Sequence, residues 1–120
     1  MSAEKKYSWY KIAESLTDFP WNENQLCEIV VKGKTICMAK QGTVILACAH
    51  KCPHAGGRLA DGFIDALGNV VCPLHRYKFS LANGRNTSGE GYYLKTYPVE
   101  ERADGFYIGI EENSFFNFFK

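Results

Sequence analysis

The sequence predicts an all-β fold. Three observations carry that expectation. Short runs rich in Val, Ile, Tyr and Phe recur along the chain, glycines interrupt them, and no long stretch has the apolar spacing of a helix.

The expected strands are 8–13, 26–31, 34–39 and 44–49, with Lys32-Gly33 as the tight turn that joins the second and third into a hairpin. A second group is 62–66 and 70–72, joined through Leu67-Gly68-Asn69 and followed by 77–80. The last group is 93–99 and 105–111, separated by an acidic, glycine-containing turn. Residues 82–91 are too polar and glycine-rich for a core strand and read as a surface loop. The stretch 14–24, with Thr17-Asp18-Phe19-Pro20, has room for a helical turn but not for a full helix. No repeat, linker or low-complexity segment divides the chain.

A length of 120 residues suits one domain, expected over 1–120 with its core at about 8–112. The composition, 46% apolar and 22% charged, is that of an ordinary globular domain with material for one core. Fourteen Lys and Arg stand against 13 Asp and Glu, a net charge of +1, so the one-sided basic field that drives phosphate binding is absent and nucleic acid is not expected as a partner. Residues 1–11 are polar, and no run of about 18 apolar residues occurs. The expectation is a cytoplasmic protein, neither secreted nor membrane-spanning.

Five cysteines is an odd number, and cytosolic cysteines grouped with histidines serve metals more often than disulfides. Two stretches group them: Cys52-Pro53-His54-Ala55-Gly56-Gly57 and Cys72-Pro73-Leu74-His75, with seventeen residues between His54 and Cys72. Both fall where strand runs stop, so each offers a thiolate and an imidazole from a loop tip, and two such loops can close on a metal centre from opposite sides. A structural zinc site of two thiolates and two imidazoles has the same ligand types. Cys48 and His50 form a second Cys-x-His pair, but without the proline and the paired glycines. Cys48 reads as a core residue at a strand end and His50 as an exposed loop residue or a hydrogen-bond partner, while Cys27 and Cys37 read as small buried hydrophobes.

The spacing Cys-x-His, then Cys-x-x-His, with Pro53, Gly56, Gly57 and Pro73, resembles the cluster-binding pattern of the Rieske iron–sulfur family. The resemblance extends over about residues 8–112 and points to the branch of soluble ferredoxins. It implies an antiparallel β-sandwich with a small cluster-binding subdomain made of two loops. It also implies one two-iron, two-sulfide cluster per chain, with Cys52 and Cys72 on one iron and His54 and His75 on the other. Two neutral imidazoles in place of two thiolates make such a cluster less negative and raise its potential. Pro53 and Pro73 restrict the backbone beside the ligands, and Gly56 and Gly57 let backbone N–H groups approach the sulfides.

The departures from the respiratory branch of the family also matter. That branch staples its loops with an additional cysteine in each, and Gly57 and Leu74 occupy those positions here. A Ser and a Tyr hydroxyl that donate toward the cluster in that branch are replaced by Tyr77 and Phe79, and the proline loop by Ser88-Gly89-Glu90-Gly91. Fewer donors place the potential toward the low end of the ~ −150 to +300 mV Rieske range. The implied function is one-electron transfer from a reductase to an acceptor such as an oxygenase, with no catalytic site in the chain itself: once His54 and His75 are assigned, only His50 remains for a mononuclear iron. The alternative is a non-catalytic small subunit or binding module of a larger oxidoreductase, as in nitrite reductases. Arg58, Arg76 and Lys78 flank the two loops and are either a guide for an acidic partner or ordinary solvated charges. The aromatic run Phe115-Phe116-Asn117-Phe118-Phe119-Lys120 is either a docking element or a tail packed on its own domain.

Overall fold

A computed structural model describes residues 6–54 and 56–112, so the aromatic run at 115–120 and Ala55 lie outside the described residues. The order of elements is β1 (Tyr7–Ala13), β2 (Leu26–Val31), β3 (Lys34–Gln41), β4 (Val44–Ala49), β5 (Phe63–Ile64), β6 (Asn69–Val71), β7 (Lys78–Ser80), β8 (Thr96–Tyr97), β9 (Val99–Arg102) and β10 (Gly105–Glu111). The only helical pieces among the described residues are 3-10 turns at Leu16–Asp18, inside the stretch with room for one, and at Leu59–Asp61. No helix is long and apolar enough to cross a membrane.

The strands form three antiparallel sheets, ordered β1-β10-β9, β2-β3-β4-β8 and β5-β6-β7. The β2–β3 hairpin closes on Lys32 and Gly33 with φ of 51° and 79°. Positive φ at both turn residues is what a two-residue hairpin needs to match the strand twist.

Strand period 2 explains why β3 carries almost no polar residue in its middle. Ile36 and Met38 face a core shared with Ala47, Phe106 and Ile108, toward the β1-β10-β9 sheet. Cys37 and Ala39 face the opposite way, into a core shared with Leu59, Val70, Phe79 and Leu94. That second core also contains Cys52 and Cys72, so the two loop cysteines are anchored in the same packing that joins the small sheet to the large one.

The expected strand 93–99 is two strands. Thr96 and Tyr97 pair with Cys48 and Ala47, whereas Val99–Arg102 pairs with β10 in another sheet. Pro98 stands at the switch; it has no N–H to continue a ladder, and its carbonyl accepts a 2.9 Å bond from Gly109 N–H. The expected strand 62–66 shrinks to Phe63–Ile64, because Asp65 turns the chain by accepting from the N–H groups of Leu67 and Asn69.

Candidate metal centre

The two Cys/His stretches form loops of matching construction. In the first, Cys52 N–H donates to Gly57 O at 2.8 Å and Gly56 N–H to Cys52 O at 3.0 Å. In the second, Cys72 N–H donates to Tyr77 O at 2.9 Å and Arg76 N–H to Cys72 O at 3.0 Å. Each loop therefore closes at the same two offsets from its cysteine, and the fourth residue after the cysteine sits at positive φ, 73° for Gly56 and 60° for Arg76. Such a conformation costs glycine nothing and a side chain about 1–2 kcal/mol.

The first loop springs from the end of β4 and is tied down by a Lys51–Arg58 bridge and a 2.9 Å bond from Leu59 N–H to His50 O. Arg58 extends the tie, with Nε 3.1 Å from Glu28 on β2 and Nη1 2.6 Å from Asp61. The second loop is the tip of the β6–β7 hairpin, closed by the Val71–Lys78 pair.

The four side chains come together as two pairs. Cys52 and Cys72 are both buried, in the same core cluster. Burial raises the Cys72 thiol above its ordinary range and the neighbouring Cys52 adds to this, while the backbone N–H groups of Leu74 and His75 pull it back toward the thiolate. Those two donors suit a bound, negatively charged sulfur. The rings of His54 and His75 meet edge to face, centroids 5.3 Å apart. Among the described residues no three His, Cys, Asp or Glu side chains gather as a single ion would require.

His54 is held more closely than His75. The Tyr77 ring stacks on it at 4.2 Å and 19°, and Tyr92 approaches at 5.2 Å. Its Nε2 lies 3.4 Å from the Tyr77 hydroxyl, whereas its Nδ1 is buried with no hydrogen-bond partner in the structure. A buried imidazole nitrogen without a partner is costly unless something else bonds it, and metal-bound histidines hold their second nitrogen against an outer partner in just this way. Gly57 contributes shape: a Cβ there would meet Cys72 Sγ at 2.9 Å and Leu74 Cγ at 3.0 Å. The residues present thus fit a two-iron group with one pair of thiolates and one pair of imidazoles.

The remaining candidates lie elsewhere. Cys48 stands directly opposite Cys37 in the β3–β4 register, and both are fully buried. The neighbouring Cys37 and burial hold the Cys48 thiol well above the ordinary range, and burial pushes the Cys27 thiol up to about 12. Such thiols behave as small hydrophobes. Phe79, also fully buried, offers no hydroxyl to the site. Sequence reading passed over Tyr92 and the Asn86 side chain, since nothing in the spacing of a polar loop marks which of its residues turn inward.

The family model described as "Rieske [2Fe-2S] domain" matches residues 8–98. A 3-phenylpropionate/cinnamic acid dioxygenase ferredoxin subunit of Photorhabdus laumondii is 32% identical over 63 residues, 52% of this chain and 60% of that protein. The match thus spans less than two thirds of that relative's length. Nitrite reductase [NAD(P)H] of Emericella nidulans is 35% identical over 91 residues, 69% of this chain but 7% of that protein. In fold, the ferredoxin of carbazole 1,9a-dioxygenase from Nocardioides aromaticivorans superposes with a TM-score of 0.72 at 20% identity, covering 88% of this chain and 99% of that one. With the family model matching residues 8–98 and its pattern running through both loops, the chain belongs to the Rieske [2Fe-2S] domain family.

Proposed function

We propose that this chain is a one-electron carrier, a Rieske-type ferredoxin in which Cys52 and Cys72 hold one iron of a single two-iron cluster and His54 and His75 hold the other. The observation that carries the reading is the buried, partnerless Nδ1 of His54, in a ring whose other nitrogen is already met by Tyr77. The bound group supplies reversible one-electron chemistry. The protein's part is to position it: buried cysteines anchor it in the core, and the exposed His75 leaves one edge close to solvent, where a partner can approach. By its likeness to dioxygenase ferredoxin subunits, the chain takes electrons from a reductase and delivers them to an oxygenase, in the cytoplasm and as one domain.

A second reading, an electron-relay module within a nitrite reductase assembly, is favoured by the 35% identity to that enzyme over 91 residues. The two readings share the cluster and differ in the acceptor.

The decisive experiment is the visible and electron paramagnetic resonance spectrum of the purified protein, with iron and acid-labile sulfide analysis. Two irons and two sulfides per chain are expected, with the Rieske signal on reduction. Cys52→Ser should abolish both, and Cys48→Ser should leave both intact. Bound zinc, or loss of iron in Cys48→Ser, would overturn the ligand assignment. Stopped-flow mixing of the reduced protein with a Rieske dioxygenase or with nitrite reductase then separates the two acceptors.

A further inference from the structure

The loop 86–91 stands where the family resemblance leads one to expect a proline loop, and it is built around one side chain. Asn86 Nδ2 donates to Lys78 O at 3.1 Å, to Ser88 Oγ at 3.2 Å and to Glu90 Oε1 at 2.9 Å. Its Oδ1 accepts from the backbone N–H of Glu90 and, at 2.9 Å, of Gly91. Ser88 Oγ completes the knot, accepting from Lys78 N–H at 2.9 Å and donating to the same Glu90 carboxylate oxygen. Thr87 N–H donates to Lys78 O at 2.9 Å, so the loop is sewn to β7 two residues beyond the second cluster loop's last residue but one.

An exposed glutamate normally samples many rotamers, and holding it still costs side-chain entropy. Here one carboxylate oxygen is fixed by two side-chain donors, which hold its pKa below the usual range and keep it ionised. The loop that carries this charge is held on the histidine side of the site: Asn86 and Ser88 also bond the backbone of Lys78, next to Tyr77, whose ring stacks on His54. Two residues after Glu90, Tyr92 packs 5.2 Å from His54 and 6.0 Å from Tyr77, so the loop delivers the anion and an aromatic wall to the same side of the site.

We infer that Glu90 is a potential-setting residue: Asn86 and Ser88 lock its carboxylate as a fixed negative charge on the loop that walls the histidine side of the site, which opposes arrival of an electron on the cluster. The inference rests on the assignment of His54 as a ligand. Reduction adds one negative charge to the cluster, and a stationary anion nearby disfavours that state more than a mobile, water-screened one would. Asn86 is a positioning residue, acting through Glu90 alone.

The test is the midpoint potential of the holoprotein by film voltammetry at low and high salt, with iron and sulfide content measured on every sample. Glu90→Gln should shift the reduction equilibrium three- to tenfold toward the reduced form, tenfold being about 59 mV for one electron. The shift should shrink at high salt. Glu90→Asp, which keeps the charge, should restore part of the wild-type value. Asn86→Ala should raise the potential in the same direction, and Asn86→Ala with Glu90→Gln should go no further than Glu90→Gln alone. An unchanged potential in Glu90→Gln with full cluster content overturns the inference, as does an Asn86 effect that adds to it. If Glu90→Gln assembles no cluster, Glu90→Asp and the salt dependence of Asn86→Ala decide in its place. Absence of a Rieske signal from the wild-type chain would instead bring down the ligand assignment, and the inference with it.

Discussion

The two cluster loops share a backbone and differ in almost everything attached to it. Both close with the same pair of hydrogen bonds and both need positive φ at the fourth residue after the cysteine. The first fills that position with Gly56 and ties itself down from outside, through Lys51, Arg58 and Leu59. The second places Arg76 there and relies on its own hairpin. The histidines differ likewise: His54 is half-buried under Tyr77 and Tyr92, whereas His75 is exposed. A shared backbone gives two similar anchors for the thiols, and the dissimilar surroundings give one protected imidazole and one open edge. The proposed electron transfer needs the open edge, since a cluster walled off on all sides would be out of reach of a partner.

The comparison can be broken most severely at Gly57. Its Cβ would press on Cys72 Sγ and Leu74, thus on the other loop, at 2.9 Å and 3.0 Å. Leu74 is exposed and can swing away, but Cys72 is buried and cannot. Gly57→Ala is expected to cost about 1–3 kcal/mol as overpacking and to lower iron content per chain. Gly56→Ala meets open space and pays only for its φ of 73°, about 1–2 kcal/mol, with iron content unchanged. Thermal unfolding followed at the cluster absorbance ranks the two; equal loss of iron in both would remove the steric account.

A milder lever acts on the second loop through acid. Asp65 caps the hairpin that carries it, accepting from Asn69 N–H at 3.0 Å, from Leu67 N–H at 2.9 Å and from Asn69 Nδ2 at 3.1 Å. These bonds, with Lys78 nearby, hold its pKa below the ordinary carboxylate value of 3.8. Since the folded value is the lower one, the contribution is fully present above about pH 4 and is lost as pH falls through the folded value. At pH 7, Asp65→Asn should cost about 1.5 kcal/mol, the scale of hydrogen bonds to a charged acceptor. The gap between variant and wild type should narrow progressively as pH falls below 4. Denaturant midpoints at pH 7 and pH 3 check it, and a gap just as wide in acid would show that Asp65 acts through packing.

Much of this was legible beforehand, and the reasons for the rest are physical. The Cys/His spacing and the β periodicity pointed to both loops, because ligand types and strand alternation are local in sequence. The break at Pro98 was legible in principle, since a proline inside an expected strand marks an edge or a switch. What sequence could not supply was direction. Nothing local tells that Tyr92 turns toward His54, or that Asn86 bonds Lys78, Ser88, Glu90 and Gly91 at once. The flanking cations are similar: Arg58 and Arg76 look alike as residues beside a motif, yet Arg58 is committed to Glu28 and Asp61, while Arg76 has no ion-pair partner among the described residues.

That last difference yields the smallest effect and the sharpest contrast. Arg76 pays for a left-handed conformation at φ 60°, so Arg76→Gly relieves about 1–2 kcal/mol of strain. Glycine's greater freedom in the unfolded chain offsets about 0.5–1 kcal/mol of it. The net expectation is a stabilisation of about 0.5 kcal/mol, read as a small rise in denaturant midpoint with cluster content unchanged. Its charge, however, is free to act on an approaching acidic partner, and charges of that kind set association rates and their salt dependence more than affinity. Arg76→Gly should therefore slow association with an acidic acceptor and flatten its dependence on ionic strength. Arg58→Ala should do the reverse: its charge is already neutralised by two carboxylates, so the salt dependence stays, while loss of the tie to Glu28 lowers stability. Stopped-flow rates at several salt concentrations distinguish the two arginines, and equal flattening by both substitutions would mean that the Arg58 pairs do not persist in solution.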